Sequence, residues 1–251
     1  AFNKAYVSDD VIIKGDTQTD YALALAFGLL PRSSRSVAAT RLRDDVSKRG
    51  DHLTTGFLGT PALLPMLSEG GYVSKAYDLL LQDSYPSWLY TVNQGATTIW
   101  ERWNSYTHDH GIYEPSMNSF NHYAFGSVGE WLFGTVGGIQ PLAPGYARVR
   151  IRPRPDARLG YAAVTFDSPR GPIRSSWRLD GDTLGLDVAL PANVSAEIWI
   201  PATSVAAVTE GGEPAAQAAG VGEAAMQEGC AVFRVGSGLY HFATAANGNT
   251  P

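Results

Sequence analysis

Apolar positions follow two different rhythms along this chain, and the change falls near Gly137-Gly138. Upstream the spacing is helical. Residues 17–27 place a capping candidate, Thr17, ahead of the run Tyr21-Ala-Leu-Ala-Leu-Ala-Phe27, which predicts a helix. Residues 34–48 set Val37, Leu42 and Val46 on one stripe, with Gly50 as the stop. Residues 56–68 carry Phe57, Leu58, Leu63, Leu64 and Leu67, and Gly70-Gly71 separates them from a further helix at 73–82 with Ala76, Leu79 and Leu80 inward. Pro61 and Pro65 weigh against the former, because an interior proline removes a hydrogen bond and clashes with the preceding turn. Residues 95–118 show little periodicity and predict a long loop broken by short elements, the kind of segment that tends to carry function. From Asn118 or Ser119 a last helix is expected to reach about Val136, buried through Tyr123, Val128, Trp131 and Leu132.

Downstream the period becomes two. Ala147-Arg-Val-Arg-Ile-Arg152 alternates small or apolar residues with arginines, as a strand with one wet face does. Further strands are expected at residues 161–168, 171–179, 183–190, 195–200, 231–235 and 239–243, separated by turn sequences such as Pro169-Arg-Gly171 and Asp180-Gly-Asp182. No helical crossover lies between them, so the strands predict an antiparallel sandwich rather than a parallel sheet. Residues 203–228, rich in Ala, Gly and Glu, read as a mobile or loosely packed surface insertion. The expected organisation is two domains, 1–138 helical and 139–251 a β-sandwich.

Composition narrows the class. The 251 residues are 44% hydrophobic and 17% charged, with 19 Lys plus Arg against 24 Asp plus Glu, so no basic field for nucleic acid exists. Cys230 stands alone, which excludes an internal disulfide or a cysteine-based metal cluster. No apolar run reaches the roughly 18 residues of a membrane span, and residues 1–10 lack the pattern of a signal peptide, so no membrane partner is expected and the compartment stays open between cytoplasmic and secreted. The Gly-rich phosphate motif of a kinase or dinucleotide enzyme is missing. No cofactor or metal is called for: His108, Asp109 and His110 fit an exposed polar loop better than a cation site.

The candidate chemistry sits in Gly95-Ala-Thr-Thr-Ile-Trp-Glu101-Arg-Trp-Asn-Ser105. Glu101 lies between two tryptophans. Trp100 and Trp103 offer flat apolar walls for the CH face of a sugar, and Asn93, Arg102 and Asn104 offer directional hydrogen bonds. A carboxylate beside indole rings can orient or deprotonate a water, the task of a glycosidase base. A Trp-rich structural loop with Glu101 paired to Arg102 accounts for the same residues.

Several ordered segments carry a resemblance. His52-Leu-Thr-Thr-Gly-Phe-Leu-Gly-Thr60, Tyr85-Pro-Ser-Trp88, Ala96-Thr-Thr-Ile-Trp-Glu-Arg-Trp103, Met117-Asn-Ser-Phe-Asn-His-Tyr-Ala-Phe-Gly-Ser-Val-Gly-Glu-Trp131, residues 139–154 and Ser168-Pro-Arg-Gly171 are similar, in order, to the C-terminal portion of glycoside hydrolase family 78 α-L-rhamnosidases. The similarity spans residues 16–201. It implies the last part of an (α/α)6 catalytic barrel followed by an antiparallel β-sandwich, acting on terminal α-L-rhamnose with inversion. On this resemblance Glu101 matches the general base, and His122 lies in the segment that contributes to the sugar pocket, with Trp100 and Trp103 flanking the base. His52 fits either pocket support or capping of the helix after it, and Glu130 beside Trp131 reads as structural.

The family's general acid lies in an early barrel segment that has no counterpart here. The chain therefore reads as a fragment whose partners are a rhamnosylated glycoside and the N-terminal part of the same enzyme, covalent or separate. Two rivals stand beside this reading. One is a non-catalytic carbohydrate-binding or structural piece. The other is an α/α-barrel enzyme acting on another sugar, including a lyase built on Tyr106, His108 and His110.

Overall fold

The computed structural model describes residues 1–245. The chain divides into two compact units, Ala1–Gly129 and a second beginning at Glu130. In the first unit the helices are α1 (Phe2–Tyr6), α2 (Gln18–Ala26), α3 (Arg32–Lys48), α4 (Thr60–Glu69), α5 (Val73–Leu81) and α6 (Trp88–Asn93). Thr17 caps α2 in a full capping box, its hydroxyl accepting from Asp20 N while the Asp20 carboxylate accepts from Thr17 N. α2 packs on α3 and α4, and α4 on α5. Their shared core includes Tyr21, Leu42, Val46, Leu63, Leu67 and Tyr77.

The inner stripe of α3 differs from its sequence pattern. Val37 is 41% exposed, and Ala38 and Ala39 are buried instead. The close approach of α4 explains the exchange: a Cβ on Gly70 would lie 2.7 Å from the Ala39 Cβ, so only small side chains fit there.

α4 begins at Thr60 rather than at Gly56. Residues 56–59 form a turn in which Gly56 O accepts from both Thr60 N at 3.0 Å and Thr60 Oγ1 at 2.9 Å, and Leu58 is left 79% exposed. Pro61 then falls in the first turn, where a missing N–H costs nothing. Pro65 remains inside the helix at a cost of about 3 kcal/mol. Burial of Leu63, Leu64 and Leu67, each worth about 1.5–3 kcal/mol, outweighs it.

The helix expected from residue 118 starts later. Ala124–Ser127 is a 3-10 turn, Val128–Trp131 forms one α-helical turn (α7), and Leu132–Val136 is a π-helical segment. Backbone groups of residues 119 and 122 are already committed to the 99–101 segment, which prevents helix there. Tyr123, expected to be inward, is 89% exposed. The loop before it holds a short hairpin, β1 (Tyr106–Thr107) and β2 (Gly111–Ile112).

The second unit is a two-sheet β structure. Its strands are β3 (Ile139–Pro141), β4 (Arg148–Ile151), β5 (Tyr161–Ser168), β6 (Gly171–Asp180), β7 (Thr183–Leu190), β8 (Ser195–Pro201), β9 (Val208–Glu210), β10 (Glu213–Pro214), β11 (Val221–Gln227), β12 (Cys230–Val235) and β13 (Gly238–Ala245). One sheet runs β10-β9-β13-β7-β6-β5 and the other β11-β12-β8-β4-β3. Pairing is antiparallel throughout these two sheets except for β4 with β8, which is parallel.

Alternation puts Trp177, Leu186, Val188 and Phe242 inward from one sheet and Ile151, Ile198 and Phe233 from the other, and the Phe233 and Phe242 rings meet at 5.6 Å. Trp177 satisfies its buried indole N–H on Val136 O at 2.7 Å. The stretch 203–228 is not a loose insertion: β9, β10 and β11 lie within it, β11 pairs along β12, and Val208 and Ala215 are fully buried.

Gly138 is the tightest backbone approach in this unit. Its φ is +76°, and a Cβ there would stand 2.1 Å from Pro153 N and 2.3 Å from Arg152 C. Neither neighbour is a flexible side chain. Gly138→Ala is expected to destabilise the sandwich by about 3 kcal/mol in urea unfolding, through steric overlap and a left-handed non-glycine residue together. A loss below about 0.5 kcal/mol, the range of an ordinary surface change, would contradict this packing.

Candidate active site

Glu101 is placed by two strands of backbone running against each other. The 98–101 segment meets 119–122 through Glu101 N donating to Ser119 O at 2.8 Å, His122 N donating to Ile99 O at 2.8 Å, and the Thr98 hydroxyl donating to Phe120 O. The pairing carries over to the side chain. Ser119 N donates to Glu101 Oε2 at 2.7 Å, so one carboxylate oxygen is fixed by a backbone amide. Among the described residues Oε1 has no hydrogen-bond partner. The pairing with Arg102 does not form. Arg102 turns instead to the loop, its Nε donating to Met117 O at 3.2 Å and its guanidinium lying 5.5 Å from the centre of the Tyr113 ring.

The two tryptophans take different positions from open walls. Trp103 is 9% exposed and stacks on Phe125 with centroids 3.9 Å apart, while Trp88 meets it edge-on at 5.3 Å. Trp88 is itself anchored by its indole N–H on Phe125 O at 2.9 Å. Trp100 is 7% exposed and edge-on to Phe120. The indoles thus form an aromatic base that stiffens the backbone on both sides of Glu101.

His122 stacks on Phe57 at 4.6 Å and lies nearly parallel to Tyr123 at 5.6 Å. It shares this aromatic edge with Phe125, which touches Phe57 at 5.4 Å. His52 is elsewhere: its ring bonds Arg49 O and Ser84 Oγ, so it holds the end of α3 rather than capping α4. Asn93, at the end of α6, is exposed, and its carbonyl meets His108 Nε2 at 3.3 Å, tying α6 to the β1–β2 hairpin. Glu130 is exposed.

The loop from 101 to 119 is closed by Asn118. Its amide donates to Ser105 O at 2.8 Å and to Tyr113 O at 2.7 Å, and Ser105 is fully buried. Asn118→Ala removes both of these hydrogen bonds, although the Ser105 carbonyl keeps the Tyr113 N–H at 3.0 Å, and at about 0.5–1.5 kcal/mol for each bond the expected cost is about 1–3 kcal/mol. Thermal melting checks this, and an unchanged midpoint would mean that water replaces the strap.

Two other carboxylates occupy the loop. Asp109 is exposed beside the hairpin turn. Glu114 is held below its ordinary pKa by hydrogen bonds from Ser116, with Arg102 adding to the effect. No group of three or more His, Cys, Asp or Glu suited to a metal ion occurs among the described residues.

Residues 1–136 match the model of the bacterial alpha-L-rhamnosidase 6 hairpin glycosidase domain, and residues 138–214 match that of the bacterial alpha-L-rhamnosidase C-terminal domain. The chain belongs to the bacterial α-L-rhamnosidase family. An α-L-rhamnosidase of Streptomyces avermitilis is 45% identical over 242 residues, covering 96% of this chain and 23% of the relative. One of Formosa agariphila is 49% identical over 185 residues, 74% of this chain and 20% of that protein.

Solved α-L-rhamnosidases share the fold. The Streptomyces avermitilis enzyme complexed with L-rhamnose superposes with a TM-score of 0.89 at 43% identity, over 96% of this chain and 23% of its own. The Aspergillus terreus enzyme gives 0.83 at 33% identity, over 96% and 25%. The chain thus spans about a quarter of these α-L-rhamnosidases. It combines a helical-hairpin glycosidase part with a sheet-rich part.

Sequence reasoning did not find Ser119, which fixes the Glu101 carboxylate, or Phe57, Trp88 and Phe125, which hold the aromatic base. Ser87 did leave a local signal: it caps the unexpected helix α6 by accepting from Tyr90 N at 3.0 Å.

Proposed function

We propose that this chain is the general-base portion of an inverting α-L-rhamnosidase, with Glu101 as the base. The observation that carries the reading is the asymmetric anchoring of the carboxylate. A general base must hold one oxygen toward the attacking water while its rotamer is fixed by something else. Ser119 N supplies that fixation through Oε2, and Oε1 remains to accept the proton. The substrate class follows from family membership and from the L-rhamnose carried by the Streptomyces avermitilis relative.

In this reading residues 1–138 contribute the last helices of an (α/α)6 barrel and residues 139–251 the β-sandwich. His122 contacts the sugar, Trp100 and Trp103 support the site from beneath as its buried aromatic base, Asn93 borders it, and Arg102 acts by shaping the 101–119 loop. Inversion needs a general acid about 6.5–9.5 Å from the base, on the other side of the anomeric carbon. Glu114 is a poor acid, because Ser116 favours its deprotonated form. Because the family's general acid lies in an earlier barrel segment without a counterpart here, the acid is assigned to a part of the enzyme outside these residues.

The stereochemical course tests the mechanism. Proton NMR of the complete enzyme acting on an aryl α-L-rhamnoside should show β-rhamnose as the first anomer released. Appearance of the α anomer first would replace inversion by a retaining mechanism and recast Glu101 as a nucleophile or acid.

A further inference from the structure

The outer face of the six-stranded sheet carries two adjoining hollows that the chemistry at Glu101 does not use. Strand register explains their shape. Three cross-strand rows point outward from β6, β7 and β13: Arg178, Gly185 and Ala243; then Ser176, Asp187 and His241; then Arg174, Ala189 and Leu239. Gly185, Ala243 and Ala189 leave low floors in the first and third rows. The middle row stands up between them as a ridge, where His241 Nδ1 and Asp187 Oδ1 lie 2.5 Å apart.

One hollow, of about 460 Å³, is bounded on its far side by Arg178, whose guanidinium stacks 5.1 Å from the centre of the Tyr161 ring. The other, of about 370 Å³, is bounded by Arg174 and by Leu239, which is 83% exposed. Ser176, Asp187 and His241 line both.

A structural role does not account for the ridge. The Asp187 and His241 side chains are 64% and 62% exposed, and a pair at that exposure contributes roughly 0–1 kcal/mol. The β7–β13 ladder runs unbroken from Thr183 to Leu190 without its help.

We propose that this face binds a neutral oligosaccharide, with one sugar ring in each hollow and the Asp187–His241 ridge hydrogen-bonding to both. Each hollow falls within the roughly 300–1,000 Å³ of small-molecule sites. The lining charges are two cations, Arg174 and Arg178, against three carboxylates, Asp180, Asp187 and Glu210, which leaves one net negative charge. That balance disfavours nucleic acids and polyuronates. Interspersed donors and acceptors suit vicinal hydroxyls, and the Gly185, Ala243 and Ala189 floors admit the flat CH face of a ring. The choice of sugar rests on the α-L-rhamnosidase reading: the occupant is the glycan that carries the terminal rhamnose.

Gly185 supplies a clean test. A Cβ there meets only Arg178 O, at 4.0 Å, and valine is favoured in strands, so Gly185→Val fills a hollow while leaving the fold intact. The Glu101→Gln enzyme, which spares the ligand, is titrated by calorimetry with rutinose, a rhamnosyl-glucose disaccharide. A sheet site in addition to the catalytic one is expected. Gly185→Val and Asp187→Ala should each weaken it about 10-fold or more, with melting temperature unchanged. Should Gly185→Val melt early, Asp187→Ala decides alone. A single catalytic-site isotherm, or a second site indifferent to the substitutions, overturns the proposal. Either result leaves the role of Glu101 standing, because that role is read from turnover and not from this binding.

Discussion

Glu101→Gln is expected to lower turnover of an α-L-rhamnoside by at least roughly 10²-fold to 10⁴-fold, the range of general acid or base catalysis, while rhamnose binding changes little. Glutamine keeps the side chain's size, and its amide oxygen still accepts from Ser119 N. What it loses is the capacity to take a proton from water at the second position. The split between turnover and binding is therefore the signature to measure, by comparing initial rates with an independent rhamnose titration. Equal losses in both would assign Glu101 to ground-state binding. Near-wild-type turnover would remove it from the chemistry.

The second large effect concerns residues 1–251 tested alone. They are expected not to release rhamnose from a natural disaccharide at an enzymatic rate, whereas the complete enzyme should. With Glu101 as the proposed base, water would be activated on one face of the anomeric carbon, and departure of an alkoxide from the other face needs a proton. Glu114 is biased toward its carboxylate form by Ser116, and Asp109 sits exposed beside the β1–β2 turn. An aryl leaving group departs with less protonation and would blunt the contrast, so the disaccharide is the decisive substrate. Rhamnose release followed by chromatography, with the complete enzyme as control, gives the answer. Comparable rates would place the acid within this chain and make Asp109 and Glu114 the first residues to substitute.

The sequence made the local features legible and hid the long-range ones. Thr17 announced the start of α2, and β5 and β7 were marked from end to end, because caps and period-two burial are written in adjacent residues. The strands inside 203–228 escaped notice. β11 is an Ala- and Gly-containing strand at the end of its sheet with most residues exposed, so it has no buried face to alternate with a wet one. β3 and α6 are three and six residues long, too short for periodicity to show.

At the site, the Trp-Glu-Arg-Trp run drew attention to Glu101 but not to its neighbours. Its amide partner Ser119 is 18 residues away, and nothing in either segment encodes the pairing. An exposed sugar wall and a buried aromatic base look alike in sequence. Phe125 and Trp88, brought from other segments, make Trp103 the latter.

The most direct test of Glu101 as the base is chemical rescue of Glu101→Ala in the complete enzyme by azide, with the product's anomeric configuration read by NMR. Removing the side chain opens room for a small anion on the face where water attacks, and azide needs no base to act. With Glu101 as the base, the variant should be slow, its turnover should rise with azide concentration, and the product should be β-rhamnosyl azide, inverted relative to the α-linked substrate. A Glu101→Ala enzyme that turns over near the wild-type rate without azide, or an azide adduct of retained α configuration, would contradict that role.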